Sequence, residues 1–497
     1  MREGWPLRGL AFDTEAQQHL GDARWWGDQA LMTLRPILTR DLPNTLVSED
    51  PRLSEIRDAE ILIRHILEAR DSLSDVEAKE LDALRNTSTE WWWDFSAPEQ
   101  EVLPRQPEAL EALYPVTQEG LATAELYLRA ADCHFENWDS FIDLPLVGMA
   151  EKIAYRGRPL SLYERMRMVS YMRRNEPVFE LVREASARHV CRYPIDFSEY
   201  NSFRASAHLG PLFRVGLRLA LKTLYAAEIG DSVEVTATLL DSLALAESLR
   251  QEPLRDSQYQ RLSLIRLTLS ALEDAQNRLA LSDAQSELIQ RRLQALEGYE
   301  SYLAGLKVST DFTQNQMRAA CSDDSEDAMD PIDLLTYYGV PSAEAYGALS
   351  DEVIAALKKP HVACAIFFER LYAENSDFLL ARPQVFLRPA RVHAYLRSAQ
   401  IALAVGRYAQ AHAGPPDSLD VLVPGYLDQI PKDPFDGQPL RYRRVGKGFV
   451  VYSVDHNLVD DGGVRKVKSL TFGYMEPADQ LYCVGVPEAE VAGDAAE

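Results

Sequence analysis

The chain has 497 residues, 46% apolar and 26% charged, ordinary proportions for a soluble globular protein of two or three domains. A formal net charge of −24 opposes binding to a phosphate backbone, and no run of Lys and Arg offsets it, so nucleic acid is not an expected partner. The five cysteines, Cys133, Cys191, Cys321, Cys364 and Cys483, never form a C-x-x-C pair. They exclude a zinc ribbon and a disulfide framework, and read as buried or semi-buried free thiols.

The N-terminus lacks the uninterrupted apolar stretch of a signal peptide, and no later window supplies the roughly 20 apolar residues of a membrane span. The expectation is a chain with no membrane span and no targeting signal, facing the periplasm only if an anchor precedes it. Residues 1–110 read as a mostly helical or irregular region. Within it, Ile61, Ile63, Ile66 and Leu67 predict a helix over residues 58–69. Trp91, Trp92 and Trp93 cannot all share one face of a helix or strand; they read as the cap of an irregular core edge, or with at least one indole against another domain, a partner or a membrane surface.

Residues 111–320 read as helical hairpins. Leu217, Leu221 and Leu224 follow helical spacing, as do Leu239, Leu243 and Ala246, with Gly230-Asp231 between the two segments and Pro253 after the second. Leu262, Ile265, Leu269 and Leu272 mark a third helix. Ser282 with Gln285 is a capping-box start for a fourth, which places Ile289, Leu293 and Leu296 on one face. Successive amphipathic helices with short breaks predict a helical bundle or a short α-solenoid, and the absence of a fixed-period repeat favours the bundle.

Residues 321–388 read as an acidic linker and connecting helices. The acidic stretch 322–333 has neither the alternating oxygen ligands nor the central Gly of an EF-hand loop, so it reads as a solvated linker. Helices resume over residues 351–373. Past Pro389 comes an α+β module over residues 389–485, followed by a tail, 486–497, expected to be disordered. Val392, Leu396, Ala399 and Leu403 predict a helix that stops near Gly414 before Pro415 and Pro416. A short helical turn over residues 417–423 and a proline-rich loop lead to the Asp436-Gly437 turn. Leu440 and Tyr442 alternating with Arg441 and Arg443 predict a strand, Gly446-Lys447-Gly448 turns the chain, and Phe449, Val451 and Ser453 lie on the return strand. The fold class is therefore mainly α, a helical bundle or short solenoid followed by a small C-terminal α+β unit with an antiparallel hairpin sheet.

Residues 407–463 carry a specific ordered pattern: Tyr408; Leu419, Leu422, Val423, Pro424, Tyr426 and Leu427; Pro431, Asp433, Pro434, Phe435, Gly437 and Pro439; then Tyr452 and Ser453 before a Gly- and Asp-rich loop. This resembles the globular domain of the major pseudopilin of type II secretion systems. A pseudopilin begins with a cleavage site and an apolar membrane helix. Here the helix before the module is interrupted by Arg391, His393, Arg397 and Arg407, deep in the chain, so an ordinary filament subunit is not expected. The whole is similar to long envelope proteins of planctomycete-type bacteria that append such a module to a helical domain. The segment 189–198, HVCRYPIDFS, resembles an element of that group.

The resemblance implies calcium in the loop after the Tyr-Ser strand, where this chain offers Asp455, Asn457, Asp460 and Asp461 before Gly462 and Gly463. Oxygen ligands on a turning backbone suit Ca²⁺. The family usually has Gly at the positions of Asp455 and Leu458, and Asp at that of Asn457, which also leaves a polar turn held by Asx-type hydrogen bonds as a reading of the loop. No other cofactor is expected. The nine histidines form no H-E-x-x-H, and no phosphate loop or G-x-S-x-G elbow is present. His134, beside Cys133 and Glu136, is the nearest approach to a reactive cluster and reads as structural. The expected function is a non-enzymatic interaction or scaffold protein of the bacterial envelope, engaging pilin-like or secretion components. The alternative is a hydrolase-type enzyme whose site is assembled from distant residues of the helical domain.

Overall fold

The computed structural model describes residues 114–133, 159–160, 162–195, 206–320, 335, 338–359, 361–375, 378, 380, 384–464, 480–487 and 490. The helix expected over residues 58–69, the three adjacent tryptophans, His134, Glu136 and the acidic stretch 322–333 lie outside them. Two compact units divide the chain: Met1–Val102 with His134–Leu146 and Pro159–Pro177, and Leu103–Cys133 with Val147–Arg158 and Val178–Glu497. Helix α1 (Gln118–Asp132) belongs to the second unit, while the first is described at helix α2 (Leu162–Arg174). In α2, Met168, Tyr171 and Met172 are buried, and Asn175 Nδ2 donates to Tyr171 O (2.8 Å) to close the last turn. Helix α3 (Glu176–Ser186) crosses into the second unit at Val178.

The second unit is built on three helices that pack on one another: α4 (Leu209–Glu228), α5 (Ser232–Glu247) and α6 (Arg255–Gln276). They form where the leucine spacing predicts. Leu221, Leu224, Leu239, Leu243, Leu262, Ile265, Leu269 and Leu272 are all buried, each worth about 1.5–3 kcal/mol. Between α4 and α5, Gly230 takes φ +77° and Asp231 caps the next helix by accepting from Glu234 N. A side chain at Gly216 would put its Cβ 2.4 Å from Leu264 Cδ2, so glycine sets how closely α4 approaches α6.

Helix α7 (Asp283–Gln294) starts with both bonds of the capping box, Ser282 N to Gln285 Oε1 (2.9 Å) and Gln285 N to Ser282 Oγ (3.3 Å). Helices α8 (Glu300–Ala320), α9 (Ala343–Leu357) and α10 (His361–Glu374) follow, and the last two account for the helices expected over residues 351–373. A second core gathers Leu306, Tyr346, Phe368, Phe378 and Phe386 with Phe435 and Val454 of the C-terminal module. One apolar cluster thus joins the connecting helices to the module.

Helix α11 (Gln384–His412) is the spine of that module. It begins upstream of Pro389 and runs through it, although proline removes a helical donor. The carbonyl of Val385 that loses its partner is met by Tyr302 Oη (2.6 Å), and the Pro389 carbonyl by His393 Nδ1 (2.8 Å). A 3₁₀ turn, Leu419–Leu422, caps on Ser418. Strands β1 (Arg441–Val445), β2 (Gly448–Ser453) and β3 (Gln480–Val484) form an antiparallel sheet in the order β1-β2-β3. The hairpin predicted from the sequence is present, with β3 added to it. Central β2 is buried at every position: α11 covers one face, and Val445, Leu481, Cys483 and Val486 cluster with Val450 and Tyr452 on the other. The protein is thus mainly α, with a small α+β unit at its C-terminal end.

Candidate functional site

The loop after β2 turns at once. Asp455 (φ +54°) and Leu458 (φ +57°) bracket a 3₁₀ turn, Asp455–Asn457. Both positions take left-handed backbone, which favours glycine. In this chain side chains compensate. Arg391, on α11, brings its Nε to 3.0 and 2.9 Å from the two carboxylate oxygens of Asp455, and its Nη2 to 3.1 Å from His456 Nδ1. His456 N donates to Asp455 Oδ1 (2.7 Å), and Asp455 N to Ser453 Oγ (3.1 Å). Burial pushes the Asp455 carboxyl up, but the His456 hydrogen bond and the Arg391 charge outweigh it and hold it below the usual range.

Ser453 passes the network to Asp433. This fully buried carboxylate accepts from Ser453 Oγ (2.9 Å), Phe435 N (2.9 Å), Val454 N (3.0 Å) and Arg441 Nη1 (3.0 Å). Burial raises its pKa; the hydrogen bonds from Phe435, Val454 and Ser453 counter part of that rise. Arg441 also grips Asp436 through a bidentate contact and stands 3.8 Å from Asp460. A continuous polar chain therefore runs from Arg391 through Asp455, Ser453 and Asp433 to Arg441, tying helix α11 to both strands of the hairpin.

The four residues expected to ligate calcium are placed individually by this network. Asp455 is held by Arg391, Asn457 Oδ1 accepts from Val459 N (3.2 Å), and Asp460 Oδ1 accepts from Gly462 N (2.9 Å). Asp461 lies half-buried in the same turn. These last two backbone bonds are Asx-type turns of the kind weighed from the sequence. Among the described residues no three His, Cys, Asp or Glu side chains are grouped as metal ligands. As folded, the set suits a loop closed by a guanidinium: a calcium ion would have to displace Arg391 to use Asp455.

The CRYP segment builds a second polar cluster, inside the helical body. Arg192, 1% exposed, stacks 3.8 Å from the centre of the Tyr114 ring and donates Nε to Tyr114 O (3.2 Å). Tyr193 N donates to Tyr114 Oη (2.9 Å), and Tyr193 Oη and Ser248 Oγ are 2.8 Å apart. The Tyr193 ring stacks on His208, which sits 3.0 Å from buried Glu252. Ser257 Oγ donates to Glu252 Oε1 (2.5 Å). Burial pushes the Cys191 thiol up to about 12, which makes it a poor nucleophile at neutral pH. The segment thereby locks the stretch entering α1 against the bundle.

Sequence reasoning did not single out Arg391 or Asp433 as site residues. The signal for Arg391 was present as one of four polar interruptions of an apolar helix. All four make contacts: Arg391 with Asp455, His393 with Gly298 N (3.2 Å), Arg397 with Glu297 (3.0 Å), and Arg407 with Asp283 (2.7 Å). No described helix is long and apolar enough to cross a membrane. Compared with family models, curated proteins and solved structures, the chain matches none.

Proposed function

We propose that this protein is a non-enzymatic interaction scaffold of the bacterial envelope, in which a pseudopilin-like module, held on a helical platform, engages pilin-like or secretion partners. The observation that carries this reading is the fate of helix α11. Its four polar interruptions are spent on the protein's own loop and helices, and Ala399, Ile401, Ala402, Leu403 and Ala404 between them are fully buried. A helix so committed is unavailable for packing into a filament, and the module is left as a fixed recognition unit.

A hydrolase-type site in the helical domain would draw on His208 and Glu252. Glu252 is buried, His208 is stacked on Tyr193, and both are built into the packing that secures α1. That use is structural, which favours the scaffold. The test is cross-linking of the tagged full chain in its native host, with the captured proteins identified by mass spectrometry. Recovery of pilin-like or secretion components supports the proposal. Their absence, or a hydrolytic activity of the purified chain that His208→Ala abolishes without unfolding it, overturns it.

A further inference from the structure

The sheet has two edges, and the fold treats them differently. Along β3, Cys483 N donates to Glu273 Oε1 (2.7 Å), Cys483 O accepts from Asn277 Nδ2 (2.8 Å), and Gly485 N donates to Asn277 Oδ1 (2.8 Å). Helix α6 thus stands in for a fourth strand on that side. Among the described residues strand β1 has no such cover. Val445 opposite Gly448 closes the two-residue turn, so the pairs 445/448 and 443/450 exchange hydrogen bonds, and the N–H and C=O of Tyr442 and Arg444 point outward. Val450 agrees with this phase, because Cys483 opposite it aims its own backbone groups at α6. Among the described residues these outward groups have no partner; Tyr442 and Arg444 bond only through their side chains, to Pro416 O and Asp417.

The charge along this edge is unusual for so acidic a chain. Arg441, Arg443, Arg444 and Lys447 fall within seven residues. Arg441 is neutralised by Asp433 and Asp436. Arg444 pairs with Asp417, whose side chain is 91% exposed, and such surface pairs hold weakly. Among the described residues Arg443 meets only carbonyls, Gly463 O (3.1 Å) and Glu490 O (3.5 Å), and its Nε, shut off from solvent, has no acceptor there. Among the described residues neither Arg443 nor exposed Lys447 has a carboxylate partner. Open backbone groups flanked by unneutralised cations select a strand bearing carboxylates. A second copy is disfavoured, since antiparallel β1-to-β1 pairing would set arginine against arginine.

We propose that the free edge of β1 binds an extended acidic segment of a partner protein, added to the sheet as a further strand. This deepens the scaffold reading and rests on it. The probe is a fluorescent heptapeptide alternating Glu and Val, titrated into the full chain and followed by anisotropy. Saturable binding is expected, weakened by about tenfold or more by N-methylation of the peptide amides that face β1, and by added salt. Arg444→Pro, which deletes an outward N–H while sparing the β1–β2 bonds, has the same expected effect. The N-methylated peptide keeps the test valid if that variant misfolds. No binding at millimolar peptide, equal binding of the Lys–Val version, or indifference to N-methylation overturns the proposal. So does self-association of the chain that Arg444→Pro abolishes. If the acidic peptide fails while cross-linking still recovers envelope partners, the edge is wrong and the scaffold reading survives; an empty cross-linking experiment beside a binding peptide is the reverse.

Discussion

Asn277→Asp tests how the sheet is attached to the helical body. The wild-type amide donates to Cys483 O (2.8 Å) and Glu273 O (2.7 Å) and accepts from Gly485 N (2.8 Å), so one side chain serves the strand as a peptide group would. Aspartate keeps the shape and the acceptor but loses both donations, and sets a carboxylate against two carbonyl oxygens. At about 0.5–1.5 kcal/mol for each hydrogen bond, with repulsion added, the cost at neutral pH is about 2–4 kcal/mol. Asn277→Ala removes all three bonds without the repulsion and costs about 1–3 kcal/mol. The diagnostic is the order: the near-isosteric aspartate is the more damaging. Protonation below about pH 4 restores one donor and narrows the gap. Urea unfolding measures the stabilities, and hydrogen exchange at Cys483 and Gly485 locates the loss at β3. Asn277→Asp as stable as wild type at pH 7, or milder than Asn277→Ala, would refute the capping of this edge by α6.

Burial holds the His393 pKa below its ordinary value, as do Arg397 and Arg261; the Pro389 carbonyl and Glu297 act in the opposite sense. The unfolded chain therefore takes up this proton first, and the His393 contribution to stability, complete above about pH 6.5, declines as the pH falls below it. Thermal melts between pH 5 and 8 should show that decline, and His393→Gln should flatten it; an unchanged slope removes His393 as its source. Arg391→Gln strips the guanidinium from buried Asp455 and is expected to cost about 1–3 kcal/mol and to speed hydrogen exchange at His456 N. Because Arg391 already neutralises Asp455, calorimetric titration of the wild type with millimolar Ca²⁺ should give no binding heat, and a saturating heat would show that the guanidinium does not close the loop.

Much of the candidate site was legible as composition and little as geometry. Asp455, Asn457, Asp460 and Asp461 stood out because oxygen-bearing residues crowd before two glycines. Asn457 and Asp460 are met locally, by the amides of Val459 and Gly462, but what closes the loop on Asp455 is Arg391, 64 positions earlier, and no local pattern encodes that distance. Asp433 was visible within a family-like pattern, while its part as the anchor of Ser453, Val454 and Arg441 came only from the path of the chain. The CRYP segment was conspicuous as a word, but its partners Tyr114, Ser248 and His208 lie on three separate elements.

The helices over residues 209–294 follow from the sequence alone, since leucine spacing, Gly230, Asp231 and the Ser282–Gln285 box act within a few residues of one another. So do the end of α11 at His412 before two prolines and the β1–β2 hairpin across Gly446-Lys447. Tertiary structure alone decided that α11 passes through Pro389, because a tyrosine 83 residues away supplies the missing donor. It also decided that β3 closes on α6 while no described residue pairs the outer edge of β1, because edge pairing depends on which groups arrive from distant parts of the chain. Local sequence fixes backbone conformation within a turn or two. Which polar groups are satisfied, and which remain available to a partner, is settled only when the elements pack.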